Sequence, residues 1–267
     1  MNYNAALAAL RQKTSLVPKL ALICGSGLSG LQDALQIECR IPYAEIPGLP
    51  RTENAWHTGE FIFGTLQGLP VVITGRLHLY DGFTPEETIL PIRLARKMGA
   101  EYLLLTCNCG GIRDDLVPGD LLLVEDHLSF LVPSPLRGAN DESIGPRFPV
   151  GCCYDKEFSS LIRRKAEEEN MPLKSGIYIQ TAGPQFESAA EIRFYRAAGA
   201  DVVGMSGATD AIGGHHCGLK VANLSLVANK AAGLSKNPIS LPEIRAAAEA
   251  SSKKLGAILR RVAAGLA

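Results

Sequence analysis

A single α/β domain with a mixed central β-sheet flanked by helices is the fold class this sequence predicts, and three observations predict it. Short apolar runs of strand length alternate along the chain with longer segments of helical pattern. No repeat and no low-complexity linker divides residues 1–267. The length, 267 residues, suits one large domain with a buried core.

The first element is an apolar run at residues 19–24 that ends in glycines and reads as a buried strand. Residues 36–41 are strand-like. Residues 61–66 and 70–74 flank Gln67-Gly68, the pattern of a hairpin. Residues 85–98 read as one helix, with Pro85 at the start and Gly99 just beyond the end. A second buried strand spans 102–107, and another follows the turn signal Pro118-Gly119 at 120–125. Residues 133–151 hold four prolines and three glycines and read as a long ordered loop. Residues 155–170 are charged and helical in pattern, 175–181 are strand-like, and 187–198 form a helix ending at Gly199. Strands at 202–205 and 221–227 bracket a further helical segment. Leu255, Ile258, Leu259 and Val262 then mark one face of a C-terminal amphipathic helix.

Composition narrows the function. Apolar residues make up 46% and charged residues 20%, the balance of a globular protein in water. Lys plus Arg and Asp plus Glu each total 27, so no net charge points to nucleic acid or an anionic membrane. No apolar run approaches the roughly 18 residues of a membrane span, and Met1-Asn-Tyr-Asn4 does not begin a signal peptide. The seven cysteines are odd in number and lack disulfide-module spacing, which reads as reduced thiols in the cytoplasm.

Candidate motifs lie mainly at the carboxyl ends of the expected strands, where ligands collect in α/β sheets. Gly25-Ser-Gly-Leu-Ser-Gly30 matches G-x-G-x-x-G. One reading is a dinucleotide site, but only a handful of residues separate Gly30 from the next strand-like segment, and Glu45, at the right distance for the acid, sits between prolines. A plain strand-to-helix turn is a second reading. A small anion cradle, with backbone N–H groups and the Ser26 hydroxyl as donors, is a third.

Gly75-Arg-Leu-His-Leu-Tyr-Asp-Gly82 puts Arg76, His78 and Tyr80 on one face if the chain stays extended. An arginine fork and an imidazole suit phosphate, and Asp81 is near enough to hold the histidine proton. The bland alternative is a polar surface edge. Cys107-Asn-Cys109 invites a metal reading, but two thiols without a second ligand pair carry little, and His215-His216-Cys217 places adjacent side chains apart on a helix. In Ala182-Gly-Pro-Gln-Phe-Glu-Ser188, Phe186 offers an aromatic face and Glu187 a carboxylate. Glu187 also has the bland reading of a helix-dipole partner.

Read together and in order, these segments resemble the trimeric purine nucleoside phosphorylases, from residue 20 to the C-terminal helix, and the resemblance implies that family's α/β fold. It implies that Ser26, Arg76, His78, the backbone N–H of Asn108 and Ser206 hold inorganic phosphate, a co-substrate, with no cofactor or metal. It places Tyr80, Met205, His57 and a neighbouring subunit's Phe148 around the ribose. Phe186, Glu187, Val203 and Asn229 would surround the base, with Asn229, Glu187 and His78 as the catalytic set. The implied reaction is phosphorolysis of inosine and guanosine in purine salvage by a cytoplasmic homotrimer. The chain departs from the family pattern at four places. Cys107, Asn108 and Cys109 replace Asn-Ala-Ala, Gly207-Ala-Thr-Asp210 replaces Thr-Val-Pro-Glu, Ala228 replaces Thr, and Leu241 stands where a histidine meets the 5′-hydroxyl. A xanthosine-accepting or 5′-methylthio/5′-deoxy nucleoside phosphorylase is therefore an alternative. A nucleosidase or a non-enzymatic nucleoside sensor are alternatives of another class.

Overall fold

The computed structural model describes residues 1–25, 35–52, 59–235 and 239–267. Strand β1 (Leu20–Ile23) is buried throughout. It lies between β4 (Leu69–Thr74) and β5 (Tyr102–Gly111), parallel to both. The expected hairpin forms: β3 (Glu60–Leu66) pairs antiparallel with β4, closing at Leu66 opposite Leu69. Gln67 and Gly68 turn it with φ of 51° and 79°, the positive angles a two-residue hairpin needs. β2 (Gln36–Pro42) pairs on the outer side of β3.

β6 (Leu121–Leu128), β7 (Lys174–Gln180), β8 (Val202–Gly204) and β9 (Lys220–Lys230) complete the sheet, in the order β2-β3-β4-β1-β5-β8-β7-β6-β9. Because β9 also pairs with β5, the last five strands close on themselves. Parallel and antiparallel pairs are mixed, as expected.

Helices cover this sheet. α1 (Tyr3–Lys13) was not evident in the sequence; Asn2 caps it by accepting from the Ala5 N–H. The single helix expected over 85–98 is two. α2 (Pro85–Thr88) stops at Ile89, and α3 (Leu90–Met98) begins with Pro91 in its first turn. Proline supplies no N–H and its ring crowds the carbonyl four residues back, so the ladder breaks there. Asp155 caps α4 (Lys156–Glu168). Ser188 and Glu191 form a reciprocal capping box at the start of α5 (Ala189–Ala197), so Glu187 lies just outside the helix expected to contain it. α6 (Gly207–His216) follows β8, and α7 (Leu241–Leu266) is the long C-terminal helix. Leu255, Ile258, Leu259 and Val262 are each at most 2% exposed. Burial of side chains this size is worth roughly 1.5–3 kcal/mol apiece, which fixes α7 against the sheet.

Candidate active site

The carboxyl ends of β1, β4, β5, β8 and β9 and the segment leaving β7 open on one cavity of about 600 Å³, a volume typical of small-molecule sites. Gly25 follows β1 and packs against β5. A Cβ there would sit 2.9 Å from the Thr106 carbonyl oxygen, so only glycine allows this approach. The Gly25 N–H donates to Thr106 Oγ1 at 2.9 Å, and that hydroxyl donates to the Ile23 carbonyl at 3.1 Å. The end of β1 is thereby tied to β5 at the cavity floor. Ser26 and His57 lie outside the described residues.

Arg76, His78 and Tyr80 all line the cavity. The extended run ends at His78, and a short 3₁₀ turn at Leu79–Asp81 follows. Tyr80 folds back so that its ring stacks on His78, with centroids 4.5 Å apart. Asp81 lies 3.8 Å from His78 Nδ1, within ion-pair range but beyond a direct hydrogen bond.

Arg76 is 3% exposed. Its Nε donates to Asp210 at 2.8 Å, one Nη to the Thr106 carbonyl at 3.0 Å, and the other Nη reaches Cys107 Sγ at 3.5 Å. Burial pushes the Cys107 thiol up against the pull of Arg76, and burial likewise raises the Asp210 carboxyl while Arg76 lowers it. Asn108 and Ser206 also line the cavity. The Ser206 and Gly207 N–H groups both reach the Tyr178 hydroxyl at 3.4 Å, and the Thr209 N–H donates to Gln180 Oε1 at 2.8 Å. The start of α6 is therefore capped by two side chains from β7.

Phe186, Glu187, Val203, Met205 and Asn229 line the same cavity. Burial raises the Glu187 carboxyl, while hydrogen bonds from its own N–H and from Thr181 partly offset the rise. Asn229 lies within β9 rather than after a strand ending at 227. Pairing with β5 continues past an irregularity, with Gly110 opposite Asn229 and Gly111 opposite Lys230. The Lys230 ammonium donates to the carbonyls of Arg113 and Asp114 at 3.1 and 2.9 Å, which pins this extension. Asn229 Nδ2 gives one proton to the Lys230 carbonyl at 2.7 Å. An amide nitrogen carries two.

Phe148 does not line this cavity. It sits between β6 and α4, 80% exposed. The resemblance placed Leu241 near the 5′-hydroxyl, and it lines the cavity as the first residue of α7; sequence reasoning missed that the same helix also supplies Ile244, Arg245 and Ala248 to the wall. The i, i+3, i+7 spacing of the three apolar residues was the available signal. Among the described residues, no group of three or more His, Cys, Asp or Glu side chains is arranged to hold a metal ion.

A profile of the phosphorylase superfamily matches residues 19–264. Purine nucleoside phosphorylase 1 of Bacillus subtilis is 37% identical over 241 residues, covering 90% of this chain and 89% of its own. The purine nucleoside phosphorylase of Mus musculus is 38% identical over 236 residues, covering 86% of this chain and 82% of its own. The Schistosoma mansoni purine nucleoside phosphorylase solved with inosine superposes with a TM-score of 0.92 at 31% identity, covering 98% of this chain and 95% of its own. The same schistosome enzyme has been solved with adenosine, at a TM-score of 0.91, 31% identity and the same coverage.

Proposed function

The chain belongs to the phosphorylase superfamily, and from that premise we propose that it is a purine nucleoside phosphorylase. It cleaves 6-oxopurine nucleosides with inorganic phosphate to free base and ribose 1-phosphate. One observation carries this reading. Arg76, His78 and Ser206, suited to an oxyanion, share a cavity with Glu187 and Asn229, suited to the edge of a 6-oxopurine.

In this reading phosphate sits against Arg76, His78, Ser206 and the Asn108 N–H, and Ser26 belongs to the same cradle. Tyr80, Met205 and His57 surround the ribose, and Phe186 and Val203 lie against the base. A phosphate oxygen bonds to C1′ as the C1′–N9 bond breaks, and the bonding electron pair leaves on the purine. The second N–H of Asn229, aimed at N7, stabilises that charge as it develops. Glu187 as a carboxylate accepts from N1–H, and from the 2-amino group of guanine. His78 donates to the phosphate. The chain's own residues supply binding, orientation and charge stabilisation, and no covalent enzyme intermediate is required.

The assembly in this reading is a homotrimer in which Phe148 covers a neighbour's ribose. Exposed apolar groups support it: Phe148 and Val150 are 80 and 84% exposed, and Phe130 and Phe194, 59 and 56% exposed, pack edge to face with ring centroids 6.5 Å apart. Seven free cysteines fit a reducing compartment.

Release of hypoxanthine from inosine, with and without phosphate, tests the reaction. Strict dependence on phosphate is expected. Release in water alone makes the protein a nucleosidase, and binding without release makes it a sensor.

A further inference from the structure

Asp210 sits behind the cavity wall rather than in it, and its side chain, like that of Arg76, is only 2% exposed. A guanidinium has five N–H donors in one plane. Three point at protein: Nε to Asp210, one Nη to the Thr106 carbonyl and the other Nη to Cys107 Sγ. Among the described residues, two N–H groups have no partner, one on each Nη, on a side chain that lines the cavity. We propose that Asp210 is a positioning residue that acts through Arg76, holding the guanidinium plane so that its two remaining N–H groups meet an incoming phosphate. The proposal rests on the phosphorylase reading above.

Three features support it. First, Nε is the donor nearest the chain. A carboxylate anchored there fixes the rotation of the whole fork, and the Thr106 carbonyl fixes a second corner. Second, the carboxylate is itself held. Tyr178 and Gln180 brace the first turn of α6, and the Asp210 N–H closes that turn on the Ser206 carbonyl at 3.3 Å. Ser206 and Asp210 thus occupy one rigid turn, so a single element places both the Ser206 hydroxyl and, through Asp210, the Arg76 fork. Third, a buried ion pair is often no more stabilising than apolar packing of the same volume. Its geometric role is the stronger account of a carboxylate at this position.

The test compares wild type with D210A and D210N, measuring KM for phosphate, KM for inosine, and the rise in melting temperature that inorganic phosphate produces. In D210A the phosphate KM rises tenfold or more, as expected when a charge-assisted contact is misaligned. The inosine KM moves less than about twofold and the thermal shift by phosphate is lost. In D210N an amide oxygen can still accept from Nε, so the phosphate-specific loss is smaller but present. Where D210A does not fold, D210N decides. An unchanged phosphate KM in a folded variant, or equal changes in both KM values, overturns the proposal. Absence of phosphate-dependent cleavage by the wild type is a different result, since it removes the parent reading before any variant is compared.

Discussion

The Thr181 hydroxyl donates to Glu187 Oε1 across 3.0 Å, and both residues stand where the chain leaves β7 for the cavity. That bond favours the charged carboxylate, whereas burial opposes it more strongly and holds Glu187 above the ordinary carboxylate range. The ionised form accepts from N1–H far more strongly than the protonated acid, which keeps only a neutral acceptor oxygen. Inosine binding therefore strengthens as pH rises through this raised pKa, giving an acidic limb in kcat/KM. Losing the hydroxyl in T181V moves that limb to higher pH, and E187Q abolishes it. For stability the sign is opposite. The folded state binds the extra proton, so this group's contribution falls as pH rises between its unfolded and folded values. Adenosine brings no N1 proton, so it is expected to be cleaved poorly even where it binds. Equal turnover of adenosine and inosine would show that Glu187 does not read N1.

Asn229 is expected to act on the chemical step. Removing one donor aimed at developing charge typically costs on the order of 10²–10³ in kcat. N229A should lose kcat by about that factor with a smaller change in the inosine KM. A change confined to KM would make Asn229 a binding residue only.

The wall from α7 is apolar at Leu241, Ile244 and Ala248, with Arg245 beside them. With no histidine at 241 to meet the 5′-hydroxyl, kcat/KM for inosine and 5′-deoxyinosine should agree within a few-fold, and L241H should open a preference for inosine. A strong preference in the wild type points to another donor. Arg245 is then the first to replace, and R245A should remove that preference.

Phe148 is expected to work in a neighbour's site. F148A should raise the nucleoside KM several-fold and leave the phosphate KM nearly unchanged. Size-exclusion chromatography with light scattering should give three chains per particle. A fully active monomer would sink the shared-site arrangement.

Gly204 makes a stability prediction. A Cβ there would lie 2.2 Å from the Tyr178 hydroxyl, the same hydroxyl that caps Ser206 and Gly207. Overpacking of this kind costs about 1–3 kcal/mol. G204A should therefore lower Tm by several degrees and, by moving Ser206, raise the phosphate KM. A folded variant with wild-type values for both would refute this coupling.

Much was legible along the chain. Strand β1, the β3–β4 hairpin and the buried face of α7 follow from local apolar period and turn chemistry, which depend on neighbours a few residues away. The two halves of the cavity were legible as motifs because glycine turns, an Arg-x-His-x-Tyr run and a Phe-Glu pair have few other uses in that order. The break at Ile89 was readable in principle from Pro91, and the helical pattern on either side outweighed it.

By itself, then, the sequence determined the α/β class, the reading of the motifs and the family resemblance, since side-chain chemistry and short-range backbone preference are local. Tertiary structure alone decided the rest. Residues 134 positions apart in the chain made the Arg76–Asp210 pair, β9 ran on through Asn229 because β5 offered it partners to Gly111, and α7 folded back to complete the cavity. Each depends on closing a long loop against packed surface, and no local pattern encodes which distant partner will be there.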